Sequence, residues 1–171
     1  MGNKLTFHRL TSEFFVDNPS LKEILEPDTA NKIRPYGYIS VKVKGNNFAI
    51  PIRTRLPHKT GFITATNTIV GSRGFNSGLD YTKAVLVNDA RYLGITFKIK
   101  PAEYKKVRKN QNRIISEFTS FVEDYLIFKG HKFGEYQFVK DPETAFRYCT
   151  LVNYHAELGI VSSIYPIRRK K

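Results

Sequence analysis

The sequence predicts an α+β domain: a compact, twisted, mainly antiparallel sheet with one long helix and additional short ones. Three observations lead there. Strand-like segments follow one another from residue 36 to residue 100 with no helical pattern between them. A helical period then runs from Ala102 to about Phe128. At 171 residues the chain is long enough for one core that needs no disulfide or metal staple. A βαβ array would alternate the two patterns instead. The chain is therefore expected to be a single domain over residues 1–171, with a basic tail from about residue 166.

The elements are expected in this order. "DNPSLKEIL" (17–25) reads as a short helix with Asn18 as N-cap and Pro19 at its first position. "YGYISVKVKGNNFAIPIR" (36–53) reads as a hairpin in which Ile39, Val41 and Val43 alternate with polar residues and "GNN" makes the turn. Pro51, which has no backbone donor, places the second strand at an edge or a bend. Residues 64–78, rich in Thr, Asn, Gly and Ser, read as a long loop. Residues 79–87 and 92–100 read as two strands around an "NDAR" turn. In the long helix Val107, Ile114, Phe118, Phe121, Val122 and Tyr125 fall on one face, and Gly130 is its stop. A last helix begins at Asp141-Pro142-Glu143 and buries Phe146, Cys149 and Val152, with Gly159 beyond it.

Charge narrows the function. Twenty-eight Lys and Arg face fifteen Asp and Glu, a formal net charge of +13. Such a surface suits a polyanion, whose condensed counterions are released on binding. No stretch approaches the roughly eighteen apolar residues of a membrane span, and "MGNKLTFHRL" lacks the apolar core of a secretory signal. The single cysteine, Cys149, cannot form an internal disulfide and reads as an inert core thiol; no Cys/His group has zinc spacing. The expectation is a cytoplasmic protein with no cofactor, no metal and no membrane partner.

Three groups of residues could carry chemistry. "FAIPIRTRLPHKTGF" (48–62) starts as a buried strand and ends in Arg53, Thr54, Arg55, His58 and Lys59, with no acid among them. The planar forks of Arg53 and Arg55 suit phosphate, but on a strand they point away from Thr54 unless the chain turns. A solvated strand end explains the same residues. Lys106, Asn110 and Arg113 form a polar stripe at i, i+4 and i+7, although Glu117 lies where it could simply pair with Arg113. In "IRPYGY", Arg34, Tyr36 and Tyr38 combine cation and aromatic as a single-strand RNA platform does; half-buried packing is the plainer use of the two tyrosines. Lys83 is a further candidate for RNA contact. His8, His131 and His155 are scattered and read as structural, and Asp80 as the cap of a turn.

No Walker loop, HExxH or GxSxG motif occurs, and the absence of an acid cluster disfavours two-metal nuclease chemistry. Arg, Lys, Thr and His are nevertheless sufficient for one reaction. RNA is cleaved without metal when its own 2′-OH attacks the adjacent phosphate, given in-line positioning, cations around the phosphorane and help with the protons.

At "RPYGYISVKV", "FAIPIRTRLPHK", "GLDYTKAVLV" and "NQNRII", in consistent order over residues 33–128, the sequence resembles the toxins of bacterial type III toxin–antitoxin systems, the ToxN/AbiQ group, nearer its TenpIN or CptIN branch. The resemblance implies a metal-independent endoribonuclease on a MazF-like sheet with added helices. It implies inhibition by a small repetitive antitoxin RNA, which the toxin cuts into units and holds in a closed protein–RNA assembly, with no protein antitoxin. It also implies an active centre at Arg53 and Thr54, with Arg34 and Arg113 beside it; His58, from the same strand end, is a further catalytic candidate on its residue type and position. Arg55, Lys59, Tyr36, Tyr38, Lys106, Asn110 and Lys83 would contact RNA. Where many relatives carry serine this chain has Thr54, and Arg53 replaces a second hydroxyl. An N-terminal aromatic of the family falls at Phe14, which lacks a hydroxyl and carries no role. A non-enzymatic basic RNA-binding module explains the charge equally well but predicts no cleavage.

Overall fold

The computed structural model describes residues 7–25, 37–129 and 142–160. Its strands are β1 (Phe7–Leu10), β2 (Gly37–Val43), β3 (Asn46–Leu56), β4 (Gly61–Ile69), β5 (Ser72–Asp80), β6 (Val85–Leu86) and β7 (Leu93–Thr96). Its helices are α1 (Ser12–Asp17), α2 (Pro101–Lys109), α3 (Gln111–Lys129) and α4 (Pro142–Phe146). The strands form one seven-stranded antiparallel sheet in the order β4-β5-β3-β2-β1-β7, with β6 also paired to β3. The expected α+β class is what the chain adopts.

The β2–β3 hairpin forms as anticipated, with Val43 opposite Asn46. Its turn is Lys44-Gly45 rather than "GNN". Both residues have positive φ, 49° and 81°, the backbone of a two-residue hairpin turn whose twist matches its strands. Pro51 corrects the edge expectation, because β3 lies inside the sheet. On one side Pro51 faces Tyr38. On the other, the neighbour of β3 changes from β5, which ends its pairing at Ile52, to β6, which begins at Ala49. A missing donor is tolerated at that changeover.

Residues 64–78 are not a loop. They lie in the β4–β5 hairpin, closed by Val70-Gly71, with Gly71 at φ 78°. The polar residues that resemble a loop in composition bond across the strands: Thr66 to Asn76 at 3.0 Å and Asn67 to Ser77 at 2.9 Å. Such pairs stabilise a half-exposed ladder. Residues 79–87 also differ from expectation. The strand stops at Asp80, whose carboxylate accepts the amide and hydroxyl of Thr82 and winds Tyr81–Lys83 into a 3-10 turn. β6 and β7 pair with β3 and β1 rather than with each other.

The helices need four corrections. The first helix ends, rather than begins, at Asn18. Phe14 is buried edge-on against Tyr92, and the Asn18 amide donates to the Phe14 carbonyl at 2.7 Å, closing the last turn before Pro19. The long helix breaks at Asn110, which binds the carbonyls of Lys106 and Val107 while its own carbonyl accepts from Ile114. Its apolar face is as expected: Val107, Ile114, Phe118, Phe121, Val122 and Tyr125 are all buried. The last helix is only α4, and Val152 is exposed, because the Thr150 hydroxyl turns inward to the carbonyls of Thr82 and Ala84. Asp141, Gly130 and the tail lie outside the described residues.

The core lies between the sheet and α3. Phe118 meets Phe48 edge-on at 5.3 Å and Tyr81 at 5.6 Å, and α4 adds Phe146 against Phe121 and Tyr125. This cluster holds the end of β5 from beneath, where the polar side chains gather. Among the described residues no helix is long and apolar enough to cross a membrane.

Candidate active site

The strand end that carries cations does have an acid, supplied by the neighbouring strand. Asp80 has no exposed surface, and four donors saturate its carboxylate. One oxygen accepts from the Thr82 amide at 3.0 Å and the Thr82 hydroxyl at 2.6 Å, and faces His58 Nε2 at 3.3 Å. The other accepts from Arg53 Nη1 at 2.7 Å. Burial alone would push this carboxyl's pKa up. The hydrogen bonds from His58, Thr82 and Arg53 outweigh burial and hold it below the usual range.

That network sets the His58 tautomer. The Thr82 hydroxyl spends its proton on Asp80, so the Thr82 oxygen, 3.2 Å from Nε2, and the carboxylate both face the ring as acceptors. Nε2 therefore carries a proton, and neutral His58 keeps its lone pair on Nδ1. Nδ1 is enclosed and has no hydrogen-bond partner among the described residues.

His58 opens onto a cleft of about 640 Å³ that Arg53, Lys59 and Lys83 also line, with Pro57, Ala145 and Tyr148 as its apolar part. Lys83 is not available as a bare cation: its ammonium donates to Glu23 at 3.0 Å and to the Tyr148 carbonyl at 2.8 Å. A second cleft of about 530 Å³ shares Lys59, Thr60 and Ala145 with the first and contains Arg113, Glu117 and Asp124. Arg113 makes the local pair its spacing allowed, Nε to Glu117 at 2.6 Å. The other Glu117 oxygen accepts from Tyr81 at 2.9 Å. Burial, then the Glu117 charge, raise the Tyr81 phenol's pKa and keep it protonated.

The structure thus gathers Arg53, His58, Lys59 and Lys83, with Arg113 next door. It does not bring Thr54 or Arg55 to them. β3 carries one more residue than β5 between Arg53 and Leu56, a bulge whose spare Thr54 carbonyl accepts the Ser77 hydroxyl at 2.8 Å. The Thr54 side chain is exposed and lines neither cleft, and Arg55 stacks over Phe75 at 4.8 Å. Tyr38 is only 4% exposed, so its ring is core and offers no face to a base. Lys106 is exposed, whereas the Asn110 amide donates to the Lys106 carbonyl at the helix joint. Arg34 and Tyr36 lie outside the described residues.

Sequence reasoning saw Asp80 only as a cap and missed Thr82, Glu23 and Tyr148. "DYT" does carry a local signal, an acid two residues before a hydroxyl. Tyr148 carries none. Cys149 is buried, which pushes its thiol up to about 12 and leaves it inert.

No family model matches the chain, and no curated protein matches it. Among solved structures it is similar to a chain from a bacterial type III toxin–antitoxin system in which a non-coding RNA pseudoknot selectively inhibits the toxin. The TM-score is 0.55 over 92% of this chain and 99% of that one, at 13% identity. The chain has the fold of a type III toxin. At that identity the sheet and helix arrangement is shared while most side chains are not.

Proposed function

We propose that the protein is a metal-independent endoribonuclease toxin of a type III system, cytoplasmic, and inhibited by a small repetitive antitoxin RNA that it also processes. The observation that carries the reading is His58 in a cationic cleft, held through Nε2 by a buried carboxylate with Nδ1 left without a partner. A buried polar atom with no partner costs free energy, and a substrate hydroxyl would supply the missing hydrogen bond.

In this reading RNA binding uncovers His58 Nδ1, which is enclosed in the free protein; the 2′-OH gives its proton to it, and the 2′-oxygen attacks the adjacent phosphorus. The bond to the 5′-oxygen breaks, and the proton returns to that leaving oxygen. The products are a 2′,3′-cyclic phosphate and a 5′-OH, with no water consumed. Arg53 and Lys59 stabilise the phosphorane charge, and Asp80 orients both Arg53 and His58. Thr54 then borders the site without taking part in the proton transfers. The antitoxin RNA would occupy the same groove in a closed protein–RNA assembly, keeping the toxin from cellular or phage RNA.

The test is incubation of the purified protein with a long RNA in EDTA, followed by mapping of the ends. Cyclic phosphate and 5′-OH ends are expected. A magnesium requirement, 5′-phosphate ends, or binding with no cleavage would overturn the proposal, the last in favour of a non-enzymatic RNA-binding module.

A further inference from the structure

Tyr38, one of the two rings of the aromatic platform expected from the sequence, is buried, and Tyr36 lies outside the described residues. Another ring stands at the cleft itself. Tyr148 is 62% exposed, one of the few large apolar side chains left open to solvent among the described residues, and it lines the cleft with Arg53, His58 and Lys59. Nothing in the packing of the core calls for it there. The chain around it is anchored: Lys83 donates to its carbonyl at 2.8 Å, and the next residue, Cys149, is buried. Lys83 is itself fixed by Glu23 at 3.0 Å, a non-glycine residue held at φ 62°. Residues kept in that sparsely populated region persist where the surroundings over-determine them, and they cluster at ligand sites.

We infer that Tyr148 is a stacking platform for a nucleobase of single-stranded RNA, and that Lys83 and Glu23 are positioning residues that hold its backbone at the cleft mouth. The inference rests on the endoribonuclease reading and assigns that site a subsite for the base. An exposed ring on a fixed backbone loses little freedom when a base stacks on it, and Pro57 and Ala145 extend the apolar surface beside it. The neighbouring cations then fall within reach of the flanking phosphates. Stacking accepts any base, so this subsite contributes affinity and register, and base identity is read elsewhere.

The experiment uses a short single-stranded RNA with 2′-O-methyl sugars, which cannot be cleaved, carrying 2-aminopurine at each position in turn. Affinity is read by anisotropy and stacking by quenching of 2-aminopurine. Wild type is expected to quench at one position. Tyr148→Phe keeps the ring and should keep the quenching. Tyr148→Leu keeps apolar bulk without a ring and should lose it, with affinity weaker by roughly five- to a hundredfold. Lys83→Met should leave the ring present but misplaced and reduce quenching at that position. Equal quenching and affinity in wild type and Tyr148→Leu, with the RNA bound and unmodified RNA still cleaved, overturns this inference alone. Wild type that neither binds the probe nor cleaves RNA overturns the endoribonuclease reading and this inference with it.

Discussion

Arg53 Nη1 lies 2.7 Å from a carboxylate oxygen of Asp80, a residue with no exposed surface at the end of the adjacent strand. The pair joins two strands at the point where the sheet opens into the cleft. It also explains how a run of cations can end a buried strand: one of them is neutralised from next door, and the same carboxylate orients the imidazole.

Removing that carboxylate leaves Arg53 and His58 without their shared partner. Asp80→Ala is expected to cost about 3–5 kcal/mol, the usual loss when one side of a buried ion pair is deleted. Asp80→Asn should cost less, because it keeps the shape and one acceptor. Urea unfolding measures both; a loss below about 1 kcal/mol for the alanine variant would show that the network contributes little.

The same group sets an acid limit. Its folded pKa is depressed, so its contribution is complete above the unfolded carboxyl value of about 3.9 and is lost as pH falls through the lower folded value. The stability gap between wild type and Asp80→Asn should therefore persist from pH 8 down to pH 5 and close only in stronger acid. Thermal melts across that range test it, and a gap that closes near pH 6 contradicts it.

His58 and Thr54 separate two possible centres. His58→Ala should lower RNA cleavage by roughly 10²–10⁴-fold, the contribution of a general base, while RNA affinity changes little. Thr54→Ala, which removes an exposed hydroxyl on the bulge, should leave cleavage within a few-fold of wild type. The reverse ranking in a single-turnover assay would move the centre to the bulge.

Gly78 stands opposite Arg53 in the ladder, and a Cβ there would lie 2.3 Å from the Phe62 carbonyl. Gly78→Ala must push β4 and β5 apart. It is expected to cost about 1–3 kcal/mol and to lower cleavage as well, since Arg53 moves with its partner strand. Unchanged unfolding and cleavage together would show that the strands separate freely.

Some of this was written locally. The β2–β3 hairpin and the apolar face of the long helix depend on alternation and helical spacing, which neighbouring residues fix. The net charge of +13 is additive and needs no fold. The Arg113–Glu117 pair follows from a spacing of four on a helix.

Tertiary structure decided the rest, because the deciding contacts join residues far apart in the chain. The polar stretch 64–78 became a hairpin through bonds such as Asn67 to Ser77, which its composition alone does not reveal. Asn18 closed a helix instead of opening one, because burial of Phe14 against Tyr92 rewarded the earlier residues. The cationic end of β3 meets its acid in Asp80, twenty-seven residues from Arg53. Its burial makes the pairing strong, and no local pattern encodes burial. Tyr148 reaches the cleft because Lys83, sixty-five residues away, holds its carbonyl. Sequence therefore determined which side chains were available and the hairpin at the centre of the sheet. Only folding determined which of them meet.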